Sequence, residues 1–173
     1  MARLSDLGID FDHWCFACGR ANPQGLHLDF DVARRRAETR FVPRQEHSGY
    51  EGVVHGGIVT ALLDETMGWA IFHEGIWGVT ARINVAFRQP ILVGMELVVT
   101  GTVTNETHRA IEMHGEIRDA AGVLLAEADA TFLVMPEEQR RKLERRYSRI
   151  DEAFAKVRAA VAAEEKELEH GRT

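Results

Sequence analysis

Two features of the sequence have residue types and spacing suited to chemistry. The first is Asp64, set among Ala61, Leu62, Leu63 and Met67. A carboxylate on such an apolar helix is costly unless it is paired or opens onto a cleft. Thr60 lies four residues earlier and shares its face. Glu65 points about 100° further round the helix and is expected to face elsewhere. The plain alternative for Asp64 is a polar residue on a helix surface patch, and periodicity alone does not choose between the two. The second feature is His55-Gly56-Gly57. Glycines permit close backbone approach, and these two open the same helix, where amide N–H groups lack partners and the dipole is positive. That is a natural oxyanion hole for a thioester carbonyl; the plain alternative is a glycine-rich helix entry.

Spacing sharpens the pair. Gly56 and Asp64 are eight residues apart in the sequence, which on one helix is roughly 12 Å. An oxyanion donor and a base or nucleophile must both lie about 3 Å from the reacting group. If both act on one substrate, they come from different subunits, and the protein is a homo-oligomer with equivalent sites at a two-fold interface.

Several elements must position these residues. From Gly56 to about His73 the apolar residues Ile58, Val59, Leu62, Leu63, Met67, Trp69, Ala70 and Ile71 cover nearly every side of a helical wheel, the mark of a buried helix. Before it, residues 1–25 read as an irregular entry. Leu26–Val32 alternates like a strand with Thr39–Val42 as its partner, and 44–54 reads as a loop. After it come four strand candidates, Trp77–Ile91, Glu96–Thr104, Ala110–Arg118 and Val123–Met135, the last two joined by the turn Asp119-Ala120-Ala121-Gly122. Short connections favour antiparallel pairing. The class is therefore α+β. Residues 1–136 are expected to form this domain. Residues 137–173 are expected to form a charged amphipathic helix, with Leu143, Tyr147, Ile150, Phe154, Val157 and Val161 in a heptad stripe. That stripe rests on the same domain or on a neighbouring subunit.

Composition bounds the function. The chain has 173 residues, 45% hydrophobic and 28% charged, with a net charge of −6. This suits one soluble domain and argues against a nucleic-acid partner. No apolar run reaches the roughly 20 residues that cross a bilayer. The first ten residues lack a secretion signal, so a cytoplasmic location without membrane association is expected. The two cysteines, Cys15 and Cys18, read first as a reduced structural pair. Metal binding and redox chemistry are the alternatives, but only His13 and His27 lie nearby, in no common zinc spacing. No metal or cofactor is assigned.

The stretch HGGIVTALLDETMGW, followed by GVTARINVAFRQPI, resembles the PaaI-type hotdog-fold acyl-CoA thioesterases. The shared pattern is His-Gly-Gly, an acidic residue nine positions after that His, then Gly-Val-Thr and an Asn in the next strand. Cys-Phe-Ala-Cys-Gly with Asn22-Pro23-Gln24-Gly25-Leu26 also resembles the N-terminal segment of such proteins, so the likeness covers about Cys15 to Met135. It implies a hotdog fold, a curved antiparallel sheet wrapped around one long buried helix. It implies hydrolysis of an acyl-CoA to free acid and coenzyme A by a dimer or a dimer of dimers. Asp64 would be the nucleophile or general base, the Gly56 or Gly57 amide the oxyanion donor, His55 the residue fixing that loop, and Thr80 the hydroxyl positioning water or carboxylate. Some relatives carry an Asn six positions before the motif His. That position here is Gly49, with His47 or Ser48 as candidate substitutes.

Thr80, Arg82, Asn84, Ala86 and Arg88 share one parity in the strand after the helix. Arg82 and Arg88, with Asn84, are candidates to grip the phosphates of coenzyme A, against the alternative of a solvated strand face. Trp69, Phe72 and Trp77 shape an acyl pocket or belong to the core. Two other functions are weighed: a non-catalytic acyl-CoA-binding hotdog protein, and a hotdog hydratase or dehydratase. The latter usually relies on a catalytic His, which the Asp64 helix lacks.

Overall fold

The computed structural model describes residues 1–9, 12–72, 75–144 and 150–170. The elements are β1 (Ala2–Arg3), β2 (Asp31–Ala33), β3 (Arg36–Phe41), a 3₁₀ turn (Gln45–His47), β4 (Ser48–Tyr50), β5 (Val53–Val54), α1 (Gly56–Trp69), β6 (Gly78–Phe87), β7 (Leu97–Glu106), β8 (Ala110–Asp119), β9 (Leu124–Val134), α2 (Glu137–Glu144) and α3 (Ile150–His170). Seven strands form one sheet in the order β1-β2-β3-β7-β8-β9-β6, and every neighbouring pair is antiparallel. α1 touches β3, β6, β7, β8 and β9. A sheet meets one helix along so many strands only by curving round it, so the expected hotdog arrangement is present.

Sequence explains why the helix sits so close. Val59, Leu62, Leu63, Thr66 and Met67 are its buried face. Opposite them the sheet carries Gly101 and Gly115. A Cβ on Gly101 would stand 2.7 Å from the Met67 Cα, and one on Gly115 would stand 3.2 Å from Leu63 Cδ2. The missing side chains let helix backbone rest on strand backbone, which is the structural use of glycine in a strand.

Some expected elements shift. The alternating run 26–32 is a strand only from Asp31; Leu26, Leu28 and Phe30 are buried without belonging to a strand. The loop at 44–54 contains the 3₁₀ turn and the small β4–β5 hairpin. The C-terminal segment holds two helices. α2 is polar except for Leu143, which lines a cavity shared with Asp64, and carries i,i+4 ion pairs Glu137–Arg141 and Glu138–Lys142, whereas α3 buries Ala153, Val157 and Val161 in this chain's own core and Phe154 against Phe72. Tyr147 of the heptad stripe, and His73 at the far end of the expected first helix, lie outside the described residues. No helix among the described residues is long and apolar enough to cross a membrane.

Candidate active site

α1 carries both parts of the expected chemistry, His55-Gly56-Gly57 at its start and Asp64 near its middle. At its start His55 is the N-cap, with extended backbone (φ −62°, ψ 135°), and its Nδ1 accepts the Gly57 amide at 2.8 Å. That assigns the imidazole a capping task and occupies the Gly57 N–H. The Gly56 amide, at the first helical position, has no intrahelical acceptor. Above it lies the Phe87 ring, 3.3 Å from where a Gly56 Cβ would be. Of the two glycines in the motif, Gly56 therefore keeps its donor available, and Gly57 serves the cap.

The segment before the helix is pinned by backbone. The His55 amide donates to the His47 carbonyl at 2.8 Å. Gly49 packs against His55, with the Cβ position 3.1 Å from His55 Cα, so a larger residue there would displace the cap. The His47 imidazole is buried against Phe41, and its Nδ1 accepts the Arg44 amide at 2.9 Å. Burial holds its pKa below the ordinary histidine value. The Ser48 hydroxyl is buried without a hydrogen-bond partner.

Asp64 lies two turns along α1. Thr80 Oγ1 donates to Asp64 Oδ1 at 2.6 Å, so the strand hydroxyl and the helix carboxylate are brought together as expected. What brings them together is irregular. The register between β6 and β9 slips between Thr80 and Arg82, so that Thr80 faces Phe132 while Arg82 faces Thr131. The bulge leaves Ala81 as the extra residue. Thr80 thus turns toward the helix, on the Phe132 side of the sheet, while Arg82 and Asn84 share the opposite face with Thr131 and Asp129. The uniform parity expected for Thr80, Arg82 and Asn84 fails for this reason. Arg88 lies beyond the strand end, where its guanidinium hydrogen-bonds Glu127.

Asp64 and Thr80 line a cavity of about 940 Å³ together with Trp69, Phe72, Trp77 and Phe154. Trp69 and Phe72 have ring centroids 4.4 Å apart, and Phe72 stacks on Phe154 at 4.1 Å. The three aromatic residues flagged in the sequence are therefore cavity wall, joined by one from α3. Glu65 does not face elsewhere: it reaches the same cavity, where Trp69 Nε1 donates to it at 3.1 Å. Sequence periodicity put it round the helix but gave no sign that the N-terminal loop closes over that side. Neither His55 nor Gly56 nor Gly57 borders this cavity.

Comparisons with known proteins bear on the fold. Residues 51–126 match the family model of the thioesterase superfamily. Acyl-coenzyme A thioesterase THEM4 of Mus musculus is 26% identical over 125 residues, 69% of this chain and 54% of that protein. The chain thus spans about half the length of this curated relative. Among solved structures, the Escherichia coli PaaI protein from the phenylacetic acid degradation operon superposes with a TM-score of 0.60 at 18% identity, covering 62% of this chain and 83% of that one. A thioesterase of Streptococcus pneumoniae solved with coenzyme A gives 0.60 at 19%, covering 62% and 88%. Over residues 51–126 the chain is thus similar to the thioesterase superfamily, and its fold is the hotdog fold of the PaaI-like structures.

Proposed function

We propose that the protein hydrolyses an acyl-CoA or related acyl thioester, with Asp64 as the residue that activates water or attacks the carbonyl. The observation that carries this reading is the Thr80–Asp64 hydrogen bond of 2.6 Å at the wall of an aromatic cavity. Thr80 occupies Oδ1, which fixes the carboxylate and leaves Oδ2 for a water or a substrate carbon. In the water route, Asp64 takes a proton as the water oxygen attacks the thioester carbon. The resulting oxyanion is held by the Gly56 amide. The C–S bond then breaks, and the proton passes to the leaving thiolate. In the nucleophile route, Asp64 attacks the thioester carbon and the C–S bond breaks, giving a mixed anhydride and the leaving thiolate; water then hydrolyses the anhydride to free acid and the Asp64 carboxylate, and the proton released goes to the thiolate.

The Gly56 amide in this scheme belongs to a second subunit. Support comes from the roughly 12 Å between the two ends of the pair, and from the separation of His55-Gly56-Gly57 from the cavity that Asp64 lines. β6 is the last strand of the sheet and exposes Val79 (49%) and Phe87 (57%). An edge strand with bare apolar side chains is a natural site for pairing with another copy. Coenzyme A as the thiol half is supported by its presence in the Streptococcus pneumoniae relative and by the name of THEM4. Arg82 and Asn84 on the outer sheet face, and Arg88 at its rim, are the proposed contacts for its phosphates.

The test is thiol release from short, long and aryl acyl-CoAs, with Asp64→Asn alongside. The expected result is turnover of at least one of them by the wild type and a loss of ~100-fold or more in the variant. Equal rates from both proteins would remove Asp64 from the mechanism. Tight acyl-CoA binding with no release would make this a binding protein.

A further inference from the structure

The loop Cys15-Phe16-Ala17-Cys18-Gly19 offers two ligating sulfurs that take no part in the proposed hydrolysis. Both cysteines are free thiols, Cys18 buried and Cys15 half-buried. The turn is tight: the Gly19 amide donates to the Cys15 carbonyl at 3.0 Å. A Cβ on Gly19 would fall 2.1 Å from the His13 carbonyl oxygen and 2.6 Å from the Cys15 nitrogen, so only glycine fits. The loop is anchored from below, by Leu26 N–H to the Phe16 carbonyl at 2.8 Å and Leu28 N–H to the Ala17 carbonyl at 3.0 Å. The result is a rigid two-sulfur pincer aimed at α1.

What it meets there is Glu65. Both carboxylate oxygens lie 3.8 Å from Cys15 Sγ, and one donor atom from each of Cys15, Cys18 and Glu65 falls within 4.8 Å of the others. No Lys, Arg or His among the described residues forms an ion pair with Glu65. The nearby histidines are turned to other work: His13 Nδ1 accepts the Cys15 amide at 3.3 Å, and His27 Nε2 bonds the Asn22 carbonyl at 2.7 Å.

We propose that Cys15, Cys18 and Glu65 form a divalent metal site, selective for zinc, which ties the N-terminal loop to α1 beside Asp64. Two thiolates and a carboxylate suit a borderline-soft ion and disfavour magnesium or calcium. With Zn–S and Zn–O bonds of about 2.3 and 2.1 Å, tetrahedral donors stand roughly 3.6–3.8 Å apart; the pincer already holds Cys15 and Glu65 at that spacing. The three donors leave one position for a water or another group at the cavity wall, which these residues line. Electrostatics agrees. Without a cation, burial lifts the Glu65 carboxyl to about 7. Hydrogen bonding to Cys15, together with burial, pushes the Cys18 thiol up, while Cys15 is drawn down to about 5 chiefly by the Cys18 thiol.

The test uses the full chain, purified in reductant and stripped with a chelator. Titration with Co²⁺ is expected to give a near-ultraviolet thiolate-to-cobalt charge-transfer band that saturates at about one ion per chain, and elemental analysis of unstripped protein to find about one zinc. Cys15→Ser/Cys18→Ser should abolish the band, and Glu65→Gln should weaken affinity at least about tenfold, the lower end of what even a supporting partner contributes. Absence of both band and zinc in the wild type overturns the site, whatever the variants do. Binding that survives in the double serine variant, or is unchanged in Glu65→Gln, overturns the ligand assignment.

Discussion

At the scale of residues, the account turns on one hydrogen bond and one buried imidazole. Thr80 donates to Asp64 at 2.6 Å. If this bond fixes the carboxylate in the reacting orientation, Thr80→Val lowers kcat about 10- to 100-fold with KM little changed, because the loss falls on the transition state. Steady-state kinetics checks this split; a change confined to KM would assign Thr80 to binding instead. His47 gives a prediction on stability. Burial lowers its folded pKa beneath the ordinary 6.5. Below that ordinary value the unfolded chain binds the proton more readily than the folded one, so stability falls as pH drops toward the folded pKa. His47→Asn removes this term. Although it loses packing on Phe41 at neutral pH, the gap in Tm between wild type and variant should narrow as the pH is taken below 6.5. A gap that widens on acidification contradicts the assignment.

At the scale of elements, the close seat of α1 on β7 positions everything else. Gly101→Ala puts a methyl 2.7 Å from Met67 backbone atoms. Backbone on both sides cannot give way cheaply, so a loss of about 3 kcal/mol or more in unfolding free energy is expected; denaturant unfolding measures it, and a loss under about 1 kcal/mol would show that the helix can lift. This scale also shows what the sequence made legible. The buried helix, the long antiparallel strands and the turn at Gly122 were readable because apolar periodicity and turn residues are local signals. The pairing of Thr80 with Asp64 was readable only through the family pattern. The bulge that produces it lies in a run of uniform alternation, and nothing in Thr80, Ala81 or Arg82 marks it. Glu65 was misplaced for a different reason. Its neighbours Cys15 and Cys18 come from a loop 50 residues away from it in sequence, and no local pattern ties that loop to the helix above.

At the scale of the whole molecule, the proposed mechanism divides its parts between two places on the chain. One is a cavity with Asp64, closed by the N-terminal loop and by α3. The other is a helix start with a free Gly56 amide beside exposed Phe87. The first uses residues that sequence analysis left between core and pocket, Trp69, Phe72 and Trp77, and it recruits Phe154 of α3. In the proposed scheme the second does not serve the first within one chain, given the roughly 12 Å between them. Sequence spacing already carried this separation, since helix rise is fixed; no spacing rule indicates which surface a second copy would cover.

That division can be measured directly. Gly56→Pro removes the donor N–H while keeping the helix, because proline is tolerated at the first helical position and His55 is already extended, as a residue before proline requires. Alone, it is expected to lose ~100-fold or more in acyl-CoA hydrolysis, as is Asp64→Asn. The two inactive variants are then refolded together. If each site joins Gly56 of one subunit to Asp64 of another, mixed dimers regain one intact site of two, and activity returns to about a quarter of wild type at equal mixing. A mixture that stays as inactive as its components, with mixed dimers verified by mass, would place both residues of each site in the same chain and contradict the account.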